Sequence, residues 1–267
     1  MKEIFIDKKD NNFQYIETLK RNRTKRNNNH EFFVEGVRNI NLAIKHNWKI
    51  KHWIYNSKKL SNWASEKIKS VKTEVNYNVS QSLLDELSDK TDKSELLAII
   101  EMKDRTVKIT KNPFIVIFDR PSKKGNLGAI MRSADAFGCD GIIIVGHSVD
   151  LYDMEVIRAS MGSFFVVDTQ IINQKEELLN LFDNLKNKFP NLKIISADEK
   201  GVSNLNETDL TTPTIILIGN ENLGLSKFLL DVSNIKVKIP MVGEASSLNA
   251  SNAAAIFMYE LFTQRKK

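Results

Sequence analysis

The residues best suited to chemistry sit in three short stretches. In KKGNLGAIMRSADAFG, Lys123 to Gly138, the residues Asn126, Gly128 and Arg132 follow an apolar run. The spacing places an amide and a guanidinium near a helix start, with Arg132 about one turn beyond Gly128. A phosphate-cradling loop, a sharp turn and the edge of a catalytic site would all use such residues, but the GKS or GKT of a Walker loop is missing, as is the GxGxxG of a dinucleotide fold. In LIGNENLGLS, Leu217 to Ser226, a strand ends at Gly219 and turns through Asn220, Glu221 and Gly224. Glycines there let backbone groups approach a ligand closely. In IPMVGEASSLNASNAAAIFMYEL, Ile239 to Leu261, a strand ends at Pro240 and a helix follows with Ser246 or Ser247 as the expected N-cap. Its start is crowded with Ser, Asn and Ala, including Asn249 and Ser251, where a plain buried helix has room for larger apolar side chains. Taken singly, each stretch also reads as an ordinary strand-to-helix turn.

Something must hold these loops in place, and the sequence from Pro113 onward supplies it. Apolar runs rich in β-branched residues recur as FIVIF (114–118), GIIIV (141–145), SFFVVD (163–168), KIISA (193–197), TIILIG (214–219) and IKVKIP (235–240). Runs without polar alternation are buried on both faces, which predicts a mostly parallel sheet covered by helices. NLGAIMRSADAF, KEELLNLFDNLKNKF and SLNASNAAAIFMYELFTQ carry the helical periodicity. Ligands of such sheets bind at the carboxyl ends of the strands, where the three stretches fall. Upstream, NFQYIETLKR, EGVRNINLAIKH, SNWASEKIKSVK and SQSLLDELSD predict helices, the last capped by Ser80 or Ser82, and KIKHWIYN and ELLAIIEM predict strands. The expected division is an α/β domain over 1–104, a charged linker over 105–112 and a larger α/β domain over 113–267.

Net charge is +6, but up to Asn112 there are 23 Lys+Arg against 15 Asp+Glu, so the basic character belongs to the first part. KRNRTKR, Lys20 to Arg26, places five cations in seven residues. Such a cluster is the footprint expected for phosphate backbones, and a lysine-rich solvated surface is the plain alternative. With one cysteine, Cys139, and four scattered histidines, no disulfide and no metal-ligand spacing is present. No run of eighteen apolar residues occurs and the first twenty residues lack an apolar signal region, so a soluble, cytoplasmic protein without membrane or metal is expected.

In this order and spacing, the three stretches resemble the motifs of the SpoU–TrmH branch of the SPOUT RNA methyltransferases: N-x-G-x-x-x-R, then G-x-E-x-x-G after a strand, then I-P-M followed by S-L-N-x-S. The matches are Asn126-Leu127-Gly128 with Arg132, Gly219 with Glu221 and Gly224, and Ile239-Pro240-Met241 with Ser247-Leu248-Asn249 and Ser251. They span roughly Pro113 to Leu261. RNRTKRNNNHEFFVEGVRNINLAI is similar to the family's substrate-binding extension, a small ribosomal-protein-like α/β domain: basic residues, an apolar strand, then Glu35-Gly36 opening a helix.

The resemblance implies a C-terminal SPOUT domain whose sheet carries a deep trefoil knot, and methyl transfer from S-adenosylmethionine to a ribose 2′-hydroxyl in structured RNA. Ribosomal RNA (23S) is the expected substrate, because a full N-terminal domain looks like the ribosomal members. A tRNA ribose methyltransferase, or a non-catalytic RNA-binding protein retaining the knot, are the alternatives. By the family pattern, Gly219, Asn220, Ile239, Met241, Leu248 and Asn249 form the cofactor pocket. Glu221, Ser247 and Asn249 surround the methyl donor, Asn126 and Arg132 face the RNA, and Arg21, Arg23, Lys25 and Arg26 extend the RNA contact. The family arginine has been assigned as general base, yet a guanidinium stays protonated, so the expected role of Arg132 is to bind phosphate and stabilise charge developing on the ribose oxygen. The resemblance also implies a homodimer in which the final helix and the helix of the first motif pack across a two-fold axis.

Overall fold

The computed structural model describes residues 2–266, which form two compact units. One comprises the residues up to Lys103 together with Tyr152–Phe165; the other comprises Asp104–Leu151 and Val166 onward.

The first unit opens with β1 (Lys2–Ile6), α1 (Asn11–Arg21), α2 (Arg23–Asn29), β2 (Glu31–Glu35) and α3 (Val37–Lys45), and continues with β3 (Ile50–Tyr55), α4 (Asn62–Ser70), β4 (Val75–Val79), α5 (Gln81–Leu87) and β5 (Leu96–Glu101). The strand order is β1-β4-β3-β5-β2, parallel across β1, β4 and β3 and antiparallel on either side of β5. α1 starts where the Asp10 carboxylate accepts from Phe13 N at 2.9 Å, filling one of the unpaired donors of a helix start. Its apolar stripe, Phe13, Ile16 and Leu19, packs with Phe33, Ile54, Val79, Leu84 and Ile99.

The basic run does not present all its charges to solvent. It forms the end of α1 and the start of α2, with Asn22 as cap accepting from Lys25 N at 3.0 Å. Arg21, Arg23 and Lys25 are exposed, but Arg26 is only 2% exposed. Its Nη1 donates to the Leu19 carbonyl at 2.8 Å and to the Lys20 carbonyl at 3.0 Å, which closes the end of α1, and its Nη2 lies 3.7 Å from Asp153. Lys20 is buried as well and pairs with Asp89 at 2.6 Å. The expectation that Arg26 contacts RNA is therefore corrected: its fork is consumed by backbone carbonyls that would otherwise be unpaired.

The second unit contains β6 (Phe114–Asp119), α6 (Lys124–Ala136) and β7 (Gly141–Val145); the chain then contributes α7 (Met154–Ala159) to the first unit. It resumes with β8 (Thr169–Ile172), α8 (Lys175–Lys188), β9 (Lys193–Ala197), the two-residue β10 (Ser203–Asn204), β11 (Thr214–Ile218), α9 (Lys227–Val232), β12 (Ile235–Lys238) and α10 (Ala250–Arg265). Seven strands in the order β10-β12-β9-β11-β6-β7-β8 form one wholly parallel sheet. β6, β7 and β11 are buried along their full length, as their unbroken apolar runs require. Ile115, Ile117, Ile143, Ile194, Ile215 and Leu217 pack with Leu178, Phe182 and Leu185 of α8. Val107, from the charged segment before β6, joins this core and donates its N–H to Gln170 Oε1 at 3.2 Å.

Two expectations change. SFFVVD is no strand: Ser163–Phe165 is a 3₁₀ turn after Gly162 (φ +95°), and the strand begins only at Thr169. Phe164 and Phe165 are buried by Phe32 and Trp48 of the first unit instead, with ring centroids 5.0–6.4 Å apart across the cluster. A short apolar run looks the same whether a sheet or an aromatic cluster buries it. The last helix, further, is capped by Asn249 rather than Ser246 or Ser247, with Asn249 Oδ1 accepting from Ser251 N at 2.8 Å. Among the described residues, no helix is long and apolar enough to cross a membrane.

Removing the Arg26 fork strands two buried carbonyls, so Arg26→Met should lower unfolding free energy by about 3 kcal/mol. Arg21→Ala and Lys25→Ala should leave it unchanged, and chemical denaturation monitored by circular dichroism checks the contrast.

Candidate active site

The pairing of β6 with β11 decides where the loops meet. The two strands run parallel in direct register, Phe114 opposite Thr214 through Phe118 opposite Ile218, so the chain leaves both at the same level of the sheet. Beyond that edge, the exits are fastened together. Asp119, 2% exposed, accepts both Nε and Nη2 of Arg120 at 2.9 Å and Ser226 N at 2.7 Å. Arg120 Nη2 also donates to the Gly224 carbonyl at 3.1 Å, and Asn220 Nδ2 donates to the Arg120 carbonyl at 2.6 Å. Arg120 adopts φ +48°, which costs a residue with a side chain roughly 1–2 kcal/mol, and the forked ion pair holds it there.

The 220–224 turn folds back on β11. Asn220 and Gly224 exchange both backbone hydrogen bonds, at 3.0 and 3.1 Å, and Asn220 Oδ1 accepts from Asn222 N and Leu223 N at 2.9 and 3.0 Å. Both side-chain ends of Asn220 are thus engaged by protein, so it shapes the loop rather than lending its amide to a ligand. The close return dictates the residue before it: a Cβ on Gly219 would lie 2.5 Å from Gly224 C and Leu225 N. Only glycine fits there.

Glu221 leaves this turn for the start of α6. Its Oε2 accepts from Ser122 N at 2.9 Å and Ser122 Oγ at 2.6 Å; its Oε1 accepts from Lys123 N at 3.1 Å and Asn126 Nδ2 at 3.0 Å. The first turn of α6 has no acidic residue and its cap position, Lys123, makes no side-chain capping bond. Glu221 therefore supplies from a neighbouring loop the negative charge that a helix N-terminus favours. Partial burial alone would push its carboxyl up, but the hydroxyl and amide of Ser122 and the amide of Asn126 outweigh this and hold the pKa below the usual range. With four donors on two oxygens, Glu221 is a positioning residue for Asn126.

The third stretch, from Ile239 to Asn249, has no regular structure and most of it is exposed. It ends where Asn249 caps α10 and Ser251 Oγ reaches back to Asn249 Oδ1 at 2.7 Å. The same hydroxyl lies 3.5 Å from Asn126 Oδ1. A hydroxyl has a single proton, and the shorter bond claims it, so Asn126 keeps its carbonyl available on a buried, oriented amide.

Between these elements lies a cavity of about 620 Å³, within the size range of small-molecule sites. Ala197 and Asp198 at the end of β9, Ile218 to Leu225, Val237 and Ile239 around β12, Met241, Ser246 to Leu248, and Ala250, Ala253 and Phe257 of α10 contribute to its wall. Of the expected site residues, Gly219, Asn220, Glu221, Ile239, Met241, Ser247 and Leu248 line it. Asn126 and Asn249 stand behind it in the hydrogen-bonded chain just described. Arg132 is exposed further along α6 and lies outside the lining. Sequence reading missed Asp198, Glu199 and Lys200, which belong to the same wall; the available signal was a pair of carboxylates directly after a buried strand, the place where α/β sheets bind ligands. Among the described residues, no group of three or more His, Cys, Asp or Glu side chains is arranged to hold a metal.

A carboxylate whose pKa is lowered on folding stabilises the fold fully above the ordinary glutamate range, and that contribution is lost as pH falls through the lowered value. Glu221→Gln should abolish this acid-sensitive component and loosen the start of α6, costing about 2 kcal/mol. Hydrogen exchange of the Ser122 to Leu127 amides at pH 7 and pH 4 measures both effects.

The comparisons agree with this geometry. The model of the SpoU rRNA methylase family matches residues 113–259, and that of the SpoU L30e-like domain matches residues 10–98. A 23S rRNA (uridine(2479)-2′-O)-methyltransferase of Streptomyces viridochromogenes is 38% identical over 266 residues, 97% of this chain and 92% of its own length. Among solved structures, the SpoU methyltransferase AviRb from the same organism, in complex with AdoMet, superposes with a TM-score of 0.91 at 37% identity, covering 97% of this chain and 99% of that one. An AdoMet-bound rRNA methyltransferase from Sinorhizobium meliloti superposes with a TM-score of 0.84 at 25% identity, covering 97% of each. With a family model spanning more than half of its length and a relative matched from end to end, this chain belongs to the SpoU rRNA methylase family.

Proposed function

We propose that this protein is an S-adenosylmethionine-dependent RNA 2′-O-ribose methyltransferase acting on 23S ribosomal RNA. One observation carries the reading: the second and third motif loops line a single cavity at the carboxyl ends of β9, β11 and β12, and the Glu221–Asn126 bond ties the first motif to its wall. The residues fit the cofactor. The wall offers apolar surface from Ile218, Leu225, Val237, Ile239, Leu248 and Phe257, and the absence of a Cβ at Gly219 leaves loop backbone at the cavity edge. When bound, S-adenosylmethionine supplies an electrophilic methyl group on its sulfonium sulfur.

The chain's own part is positioning and charge. In methyl transfer the ribose oxygen gains an O–C bond as the methyl's bond to sulfur breaks, leaving a neutral thioether, and the hydroxyl proton is released to solvent, so the protein must hold the hydroxyl in line and accommodate negative charge as the proton leaves. Asn126, held by Glu221, and the nearby Ser251 and Asn249 form the rigid side of that arrangement. Arg132, cationic and exposed, suits the phosphate beside the target ribose. Ser247 lies in the cavity wall near the expected methyl donor. Arg21, Arg23 and Lys25 extend the phosphate contact from the first unit.

The placement of Arg132 outside the cavity of its own chain supports a homodimer in which it serves the cofactor of a second copy. α10 packs on α6, and Ile256 and Tyr259 of α10 are exposed at 39% and 54%, the apolar face such a dimer would cover. The strand order β12-β9-β11-β6, with α10 carried back against α6, supports the trefoil knot that the family resemblance implies. The nearly complete coverage of a 23S rRNA enzyme, including its N-terminal part, favours ribosomal over transfer RNA.

Mapping ribose methylation across total RNA from cells with and without the gene should show one 2′-O-methyl site in 23S RNA lost; a lost site in tRNA alone would overturn the substrate. Isothermal titration should show S-adenosylmethionine binding to the wild-type protein. Arg132→Ala should lower kcat/KM by about 10²–10³ with cofactor affinity intact. The pH–rate profile of Arg132→Lys should not acquire a new ionisation of the lysine, as it would if residue 132 were the base.

A further inference from the structure

The cavity wall contains five carboxyl or amide-bearing residues, Asp198, Glu199, Asn220, Glu221 and Asn222, and the two described above as loop formers, Asn220 and Glu221, have their side-chain polar atoms engaged by protein. Asp198 differs. It is half-buried at the end of β9, with its backbone fixed on both sides: its N–H donates to the Val237 carbonyl at 3.0 Å and its carbonyl accepts from Gly201 N at 2.9 Å. Its Oδ1 accepts from Lys200 N at 2.9 Å, which sets the carboxylate's orientation and engages one oxygen of the two. The neighbouring Glu199 is exposed and lacks this fixation.

We infer that Asp198 is the specificity-determining acceptor of the cofactor site, binding a ribose hydroxyl of the adenosyl group; the inference rests on the reading of this cavity as the S-adenosylmethionine site. Strand order supports it. β9 neighbours β11 on the side away from β6, the strand that leads into α6, so Asp198 lines the cavity from the side away from the α6 start, the place assigned above to the reacting ribose. A ligand reaching both must present, away from its reactive methyl, a group that donates to a carboxylate. The cofactor has three such groups, the vicinal hydroxyls, the α-ammonium and the adenine amino group, and of the two neutral ones only the diol offers a carboxylate a pair of adjacent hydroxyl donors. Lys200 lies in the same part of the wall, and a second cation beside it is disfavoured, whereas a neutral diol is not. A carboxylate just past a strand end that accepts from ribose hydroxyls is also the usual solution of nucleotide-binding α/β sheets.

The test is calorimetric and needs no RNA. Asp198→Asn keeps a side-chain oxygen for Lys200 N, preserving the turn, and removes the charge. It should weaken binding of S-adenosylhomocysteine by about tenfold while the unfolding midpoint is unchanged. 5′-Methylthioadenosine, which has the diol and lacks the amino-acid tail, should lose as much. Its 2′-deoxy and 3′-deoxy analogues locate the contact: removal of the bonded hydroxyl should cost the wild type about tenfold and cost Asp198→Ala nothing further. If Asp198→Asn weakens S-adenosylhomocysteine but spares methylthioadenosine, Asp198 holds the ammonium and the inference is overturned; equal affinities for wild type and both variants overturn it too. If the wild type binds none of these ligands, it is the reading of the cavity as an S-adenosylmethionine site that fails.

Discussion

The structure around the candidate site depends on one side-by-side relation, the in-register parallel pairing of β6 with β11. It brings together the exits of strands separated by about a hundred residues of chain. What those exits do next follows from unpaired backbone. A helix start at Lys124 needs acceptors for its amides and negative charge for its dipole, and its own sequence provides neither. Glu221 provides both. Both carboxylate oxygens are thereby occupied, and one of them orients Asn126. The forked pair of Asp119 with Arg120 does the same for the other edge of the loop, and tolerates a left-handed backbone at Arg120 to do so.

The parallel sheet was legible because strands buried on both faces cannot alternate: five of the six apolar runs from Pro113 onward are strands. SFFVVD defeated the same rule because its phenylalanines meet an aromatic cluster, and burial without alternation does not say what does the burying. The start of α10 was hard for a chemical reason. Ser246, Ser247 and Asn249 are all competent caps, and only the backbone path selects Asn249.

Charge was the least readable property. Five cations in seven residues suggested one exposed surface, yet Lys20 and Arg26 are buried, one pairing with Asp89 and the other closing the end of α1. A guanidinium serves buried carbonyls as well as it serves phosphates, and a composition count weighs both alike. The motif residues show the converse. Gly219, Asn220 and Glu221 line the cavity, but the side chains of Asn220 and Glu221 are engaged with protein, and the candidate ligand contact at Asp198 lies just past a strand that no motif marks.

The aromatic cluster around Phe32 has a consequence for how this chain can be divided. Tyr152, Phe164 and Phe165 contribute rings to it, although each is separated in sequence from the rest of the first unit by β6, α6 and β7. The polypeptide therefore passes between the units three times. A fragment ending near residue 112 would begin life without three of its core rings, and a fragment starting there would expose them. Recombination between relatives should therefore exchange the N-terminal part together with residues 152–165, as one inheritance.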